Sequence, residues 1–202
     1  MVLSNKEIVA GIKRGSFSIS PLNLHDPASA PFNTSAVDLT LDSEIVVPDF
    51  GNVPIQLDLR KPGIAKPLSQ NSKQVQITND QGYALKNGML VLGKTAEVVD
   101  FPLVGKDGCC YSARVEGRSS IARCGILVHF TAPTIHAGFQ GTITLEIINW
   151  GPAEFLLYPG LRICQLIIEE VKGIPTDAPN QFKGQHNVVG LTDSVVQKKS
   201  RK

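Results

Sequence analysis

Tyr111-Ser112-Ala113-Arg114-Val115-Glu116 alternates apolar and polar side chains, the period of two that belongs to a strand with one face in a core and the other toward water. Working outward, Tyr83-Ala84-Leu85 and Met89-Leu90-Val91-Leu92 flank Asn87-Gly88, a dipeptide that predicts a tight hairpin. Ile126 to Phe130, Thr142 to Ile148, Phe155 to Tyr158 and Ile163 to Ile168 read as further strands, and Ile55, Leu57 and Leu59 alternate with Gln56, Asp58 and Arg60. Only the N-terminus breaks the period. There Ser4 and Glu7 form a capping box, Ile8, Val9 and Ile12 follow at helical spacing, and Gly15 stops the pattern, which predicts one short helix. Lys61 to Lys73 is a polar, Pro-containing loop, and beyond Gly173 a mixture around Pro175, Asp177 and Pro179 has the composition of a loop or lid.

The chain has 202 residues, of which 42% are hydrophobic and 19% charged, so it carries enough apolar surface to fold. Gly 18 and Pro 13 favour many short elements over a helical bundle. With no internal repeat and no βαβ alternation, the expectation is one mainly β domain over residues 1–190, an antiparallel sandwich or barrel whose lid spans 173–190, followed by a basic tail at 191–202. The net charge is +2, and Lys198, Lys199, Arg201 and Lys202 crowd the extreme C-terminus. A near-neutral body lacks the basic stripe of a nucleic-acid binder. Asn5, Lys6, Glu7 and Lys13 interrupt any signal-peptide core, and no apolar run approaches the roughly 18 residues of a membrane span. A soluble, cytoplasmic protein is therefore expected. Cys109 and Cys110 are adjacent while Cys124 and Cys164 stand alone. Without a CxxC pair these read as four reduced thiols and no zinc site, with Cys124 and Cys164 as small buried hydrophobes.

Phosphate-loop, dinucleotide, zinc-protease and nucleophile-elbow signatures are missing. Two features carry chemistry. Arg118-Ser119-Ser120-Ile121-Ala122-Arg123 offers two guanidinium groups and two hydroxyls beside Gly117, which suits either a phosphate cradle or a polar turn between strands. Glu146 stands in the apolar run Gly141 to Asn149, on the face of Thr142 and Thr144. Burial there would raise its pKa toward that of a general base and a neighbouring Arg would lower it, whereas on the outer sheet surface it would be an ordinary solvated residue.

Val115-Glu-Gly-Arg-Ser-Ser-Ile-Ala-Arg123, Val128-His-Phe-Thr-Ala132 and Ala137-Gly-Phe-Gln-Gly-Thr-Ile-Thr-Leu-Glu146 together resemble the dCTP deaminase family. Ala36 to Leu39, Tyr83 to Glu97, Tyr158-Pro159-Gly160 through Gln165-Leu166, and Phe182-Lys183-Gly184-Gln185 extend the likeness over residues 8 to 190 in the family's order. The resemblance implies a distorted β-barrel or jelly roll of the dUTPase type, a homotrimer with sites between subunits, and magnesium carried on the triphosphate. It implies phosphate-side and water-side roles for Arg118, Ser119 and Ser120, and places Arg123 beside the pyrimidine. The Ala132 carbonyl would help hold the attacking water and Glu146 would be general base and proton shuttle. Thr144 and Leu145 would read the base edge, Gln165 and Gln185 would contact phosphates, and Phe182 would be the lid aromatic. His129 is left a structural place on its strand.

The implied reaction is deamination of dCTP to dUTP and ammonia without zinc, because the HxE and CxxC elements of zinc deaminases are absent. Trimeric dUTPases do not keep a glutamate at the position of Glu146, which favours deamination. Conversion through to dUMP and pyrophosphate, action on dUTP itself, and a non-catalytic nucleotide-binding module are the alternatives, and dTTP is a candidate feedback ligand. The chain departs from the family in three places. His136 stands where an aspartate contacts the sugar 3′-hydroxyl, Thr40 stands in place of an arginine, and Gln181 and Phe182 replace a lysine and a tyrosine.

Overall fold

The computed structural model describes residues 1–49, 51, 67, 70–178, 184 and 186–189. Helix α1 (Asn5–Arg14) forms as its caps dictate: the Ser4 hydroxyl accepts from the Glu7 N–H at 3.3 Å, and Gly15 closes the last turn at φ 75°. Ile8 and Val9 enter the core. Gly11 lies against the Phe17 ring, where a Cβ would stand 2.7 Å from a ring carbon, and Phe17 continues the contact to Phe101 (5.6 Å between centroids) and Tyr111 (5.1 Å).

Strands β1 (Ser18–Ser20), β4 (Glu44–Pro48), β5 (Ser72–Gln76), β7 (Leu90–Asp100), β9 (Ile126–Val128) and β11 (Gln140–Asn149) form one sheet in the order β5-β4-β7-β11-β9, with β1 also paired to β7. The second sheet runs β10-β8-β13-β3-β2 and contains β2 (Phe32–Asn33), β3 (Ala36–Thr40), β8 (Cys110–Gly117), β10 (Thr134–Ile135) and β13 (Arg162–Val171). β6 (Tyr83–Leu85) and β12 (Phe155–Leu157) make a separate ribbon, and helix α2 (Ser119–Ala122) is a single turn between β8 and β9. Every pairing is antiparallel. The sheets enclose one core in which Leu39, Leu145, Ile147, Leu166 and Ile168 are fully buried. This is a mainly β, jelly-roll-like sandwich of the expected class. Among the described residues the two sheets do not join into one closed barrel.

Several local expectations are corrected. Asn87-Gly88 makes a turn, with the Met89 N–H donating to the Lys86 carbonyl at 3.1 Å, but no hairpin follows: β6 pairs with β12, and β7 pairs with β11. The turn's own polar groups go to β11's far end, Gly88 N–H to the Asn149 carbonyl (2.7 Å) and Asn87 Nδ2 to the Gly151 carbonyl (2.9 Å). The strand from Ile126 ends at Val128, because His129 turns to φ 50°. Ser72 and Lys73 belong to β5 rather than to a loop; an edge strand pairs on one side only and tolerates polar residues. Cys124 is exposed just past α2, whereas Cys164 is buried as expected. The strand expected at Ile55 to Arg60, most of the Lys61 to Lys73 loop, residues 179–183, 185 and 190 of the expected lid, and the basic tail lie outside the described residues.

Two features join the parts that matter for function. Asn149, fully buried, donates through Nδ2 to the carbonyls of Leu85 (2.9 Å) and Ala153 (2.8 Å) and accepts from Gly151 N–H (2.8 Å). Gly151 then crosses directly over Cys124 and Gly125, where no side chain would fit, and Trp150 N–H donates to the Gly125 carbonyl at 2.8 Å. This crossing fixes α2 relative to β11.

The second is Asp107, which ties α1 to β8. Its Oδ2 accepts from the Ser16 hydroxyl (2.6 Å) and the Tyr111 hydroxyl (3.0 Å), and Oδ1 accepts from Cys109 N–H (3.1 Å). The Ser16 bond, against the opposing push of burial, holds the carboxyl below its ordinary range, and burial pushes the Tyr111 phenol up to about 12. A carboxyl lowered by folding stabilises the fold above its unfolded pKa, and that contribution is lost as pH falls through the folded value. Asp107→Asn should therefore cost about 1 kcal/mol at neutral pH by urea unfolding. The gap to wild type should narrow on acidification through that window; an equal gap at every pH would refute the role given to Asp107.

Candidate active site

The site begins with alternation on β11. Leu145 and Ile147 point into the core, so Thr144 and Glu146 point out of the opposite side of that sheet. Glu146 pairs with Leu92 on β7, and on its other side the His129 N–H donates to the Glu146 carbonyl at 2.9 Å. The His129 ring is 8% exposed and its Nδ1 lies 2.9 Å from Glu146 Oε2. Burial by itself would push the Glu146 carboxyl up, but the interactions with His129, together with a backbone hydrogen bond, outweigh it, and the net direction is below the ordinary carboxylate range. The neighbour that lowers it is thus a histidine, where the sequence suggested an arginine.

The same outer face carries the C-terminal segment. Thr144 Oγ1 donates to the Val188 carbonyl at 3.0 Å, and the buried Val188 side chain packs on Val46 and Leu92. Lys94 Nζ donates to the His186 carbonyl and to Glu44 Oε2, each at 3.2 Å. Leu145 has no exposed side chain, so whatever it offers a ligand is backbone.

Arg118 belongs to a different place. It follows β8, and its Nη2 lies 3.3 Å from Oδ2 of Asp38, a β3 carboxylate that is nearly fully buried. The Asp38 neighbours Val37 and Leu39 fill the core, so Asp38, and Gln165 paired beside it on β13, face out of the β10-β8-β13-β3-β2 sheet. Asn33 Nδ2 donates to Asp38 Oδ1 at 2.9 Å. Within one chain, then, Glu146, His129 and Thr144 stand on one outer face of the sandwich, and Arg118 and Gln165 stand on the other.

Ser119 and Ser120 are exposed on α2, and Arg123 Nε donates to the Ser119 carbonyl at 2.9 Å. Ala132 and His136 are exposed in the connection toward β11, where Phe139 N–H donates to the His136 carbonyl at 3.1 Å and Gly138 takes φ 86°. Phe182 and Gln185 lie outside the described residues. Among the described residues no group of three or more His, Cys, Asp or Glu side chains is arranged to hold a metal ion. The sequence assigns His129 only a structural place on its strand and singles out no role for Asp38. Asp38 carried the same signal as Glu146, a carboxylate inside an apolar strand; His129 showed its role only through a backbone conformation that strand patterning does not encode.

With this geometry in hand, the relatives are informative. The family described as dCTP deaminase-like matches residues 2–171. The chain is 36% identical over 195 residues to a dUMP-forming dCTP deaminase of Coprothermobacter proteolyticus, covering 94% of this chain and 95% of that protein. It is 30% identical over 195 residues to a dCTP deaminase of Thermomicrobium roseum, covering 96% and 91%. Among solved structures, the 2′-deoxycytidine 5′-triphosphate deaminase of Agrobacterium tumefaciens superposes with a TM-score of 0.59 at 19% identity; it covers 83% of this chain, which spans 47% of that one, and it attests the fold. On a match that runs from the second residue to the last residue of β13, the chain belongs to the dCTP deaminase-like family and is an enzyme of that family.

Proposed function

We propose that this enzyme deaminates dCTP to dUTP and ammonia, in sites that form only between copies of the chain. The observation that carries the reading is Glu146, a carboxylate on an otherwise apolar strand, kept ionised beside His129 on the outer face of its sheet. Hydrolysis at C4 of cytosine requires a base to take a proton from water, protonation of N3, and a proton for the departing amine. One carboxylate can perform each transfer in turn: it receives the water proton as the C4–O bond forms, gives it to N3, and passes the second water proton to the amino group as the C–N bond breaks. In this reading the Ala132 carbonyl and Ser119 hydroxyl hold the water, Arg123 lies beside the pyrimidine, and Ser120, Gln165 and Arg118 take the phosphates. Magnesium arrives on the triphosphate as part of the substrate, and no zinc takes part.

Because Arg118 and Glu146 project from opposite faces of one sandwich, a single copy cannot apply both to one nucleotide. A homotrimer, with Glu146 of one copy facing the Arg118 surface of the next, supplies the complete set three times. A second reading, in which dUTP is hydrolysed onward to dUMP and pyrophosphate before release, is favoured by the 36% identity to a dUMP-forming relative. Assaying ammonia and pyrophosphate from dCTP and from dUTP distinguishes the two.

Three outcomes are expected. Glu146→Gln should lower ammonia release by about two to four orders of magnitude, as loss of a general base does, with dCTP binding changed only a few-fold; residual activity above about a tenth of wild type would remove Glu146 as the base. His129→Gln leaves burial opposed at Glu146 only by a backbone hydrogen bond, so the acid limb of the kcat/KM profile should move to higher pH; an unmoved limb would leave His129 without influence on the base. Co-expressed Glu146→Gln and Arg118→Ala chains, each inactive alone, should regain about a quarter of wild-type activity after random assembly, since about one site in four over the whole population then draws both intact residues from neighbours. Mixed trimers with no activity would show that both residues serve the site from one chain.

A further inference from the structure

We infer that Arg162, held together with Arg118 on the buried carboxylate of Asp38, is a second phosphate-binding cation, and that Asp38 is the positioning residue for both. The inference deepens the reading above and rests on a nucleoside triphosphate occupying the Arg118 surface.

Arg162 opens β13 just after the Tyr158-Pro159-Gly160 turn, and its Nη1 lies 3.6 Å from the Asp38 Oδ2 that Arg118 Nη2 reaches at 3.3 Å. The two arginines are also joined directly, Arg118 Nη1 donating to the Arg162 backbone carbonyl at 3.2 Å. One buried carboxylate therefore organises two guanidinium groups side by side. Two cations against one anion leave a net positive charge at the surface. Each guanidinium carries five N–H donors in a planar fork, and the contacts to Asp38 and the Arg162 carbonyl engage only part of that set. The rest belong to side chains still partly open, 27% exposed for Arg118 and 47% for Arg162. Gln165, whose residue pairs with Asp38 across the β3–β13 ladder, adds an amide on the same face.

A pair of forked donors with a surplus positive charge fits an extended polyanion spanning more than one phosphate group. A purely structural role predicts otherwise: an arginine present only to neutralise Asp38 would be redundant, because Arg118 already compensates that charge at shorter range. Asp38 itself is too deeply buried to meet ligand, so its effect is exerted through the arginines, by fixing their planes before the anion arrives.

The test uses the full-length chain in magnesium buffer, with inorganic tripolyphosphate and dCTP as calorimetric probes of wild type, Arg162→Gln, Arg162→Lys, Arg118→Gln and Asp38→Asn. Losing a charge-assisted pair of hydrogen bonds should weaken tripolyphosphate and dCTP binding about tenfold in Arg162→Gln. Arg162→Lys should recover part of that loss, as a point charge without the fork. The KM for dCTP in Arg162→Gln should rise by more than kcat falls. Asp38→Asn should weaken both probes as well; should that variant not fold, the arginine variants decide the matter, since both side chains lie at the surface. Arg162→Gln binding tripolyphosphate as wild type does, while Arg118→Gln loses it, would overturn the role of Arg162 and leave the triphosphate site standing. Wild type binding neither probe would overturn the triphosphate site and this inference with it.

Discussion

The burial of Leu145 and Ile147 is the constraint on which the site depends. Both are fully buried in the core between the sheets, and in a strand the residue between two inward side chains has only the outer face available. A slip of one residue in β11 would put the Glu146 carboxylate into the core and two large aliphatic groups into water. The cost of that exchange, a few kcal/mol for the aliphatic side chains alone and more for an unpaired buried charge, holds the carboxylate in place. The ladder to β7 from Gln140 to Ile148 converts this local preference into a fixed register. The Glu146 carboxylate is thus positioned by apolar residues on the opposite face of its own strand.

The two-layer architecture distributes the remaining polar residues. A sandwich has one inside and two outsides, and functional side chains alternating with core residues must emerge on one outside or the other. Asp38 between Val37 and Leu39 emerges from one sheet, and Glu146 from the other. Nothing within a single chain can bring these surfaces together, since the core lies between them. In the proposed function association of copies is the direct solution, and assembly becomes a condition of activity rather than an addition to it.

Much of this is legible in the sequence. Period-two alternation in Tyr111 to Glu116 and the capped helix after Ser4 correspond to β8 and α1, because both patterns come from local geometry. The Asn87-Gly88 turn was legible as a turn but not as a junction between sheets, since the choice of partner strand was made by Asn149 and β11, more than sixty residues away. β5 was hidden by its polar edge position, and β2 and β10 are only two residues long. At the site, Glu146 announced itself as a charge in an apolar run. His129 did not, because its contribution depends on φ 50° after Val128 and on proximity across the β9–β11 pair, and neither has a local sequence signature.

Asp38 and Glu146, both carboxylates set into apolar strands, differ in the side chains beside them. Asp38 is faced by two guanidinium groups whose charge is permanent across the physiological range. It serves as fixed compensation for that pair of guanidinium groups. Glu146 is faced by the His129 imidazole at 2.9 Å. Burial pushes that carboxyl up, and the interactions with His129, together with a backbone hydrogen bond, bring it below the ordinary carboxylate range. A base that must accept a proton from water and then surrender it to nitrogen needs an affinity for that proton that is neither very low nor very high. An arginine at the place of His129 would hold Glu146 ionised too firmly to take the proton, and an aliphatic residue would leave burial to keep the proton on. In the proposed reaction, an imidazole set against opposing burial suits a carboxylate that works in both directions.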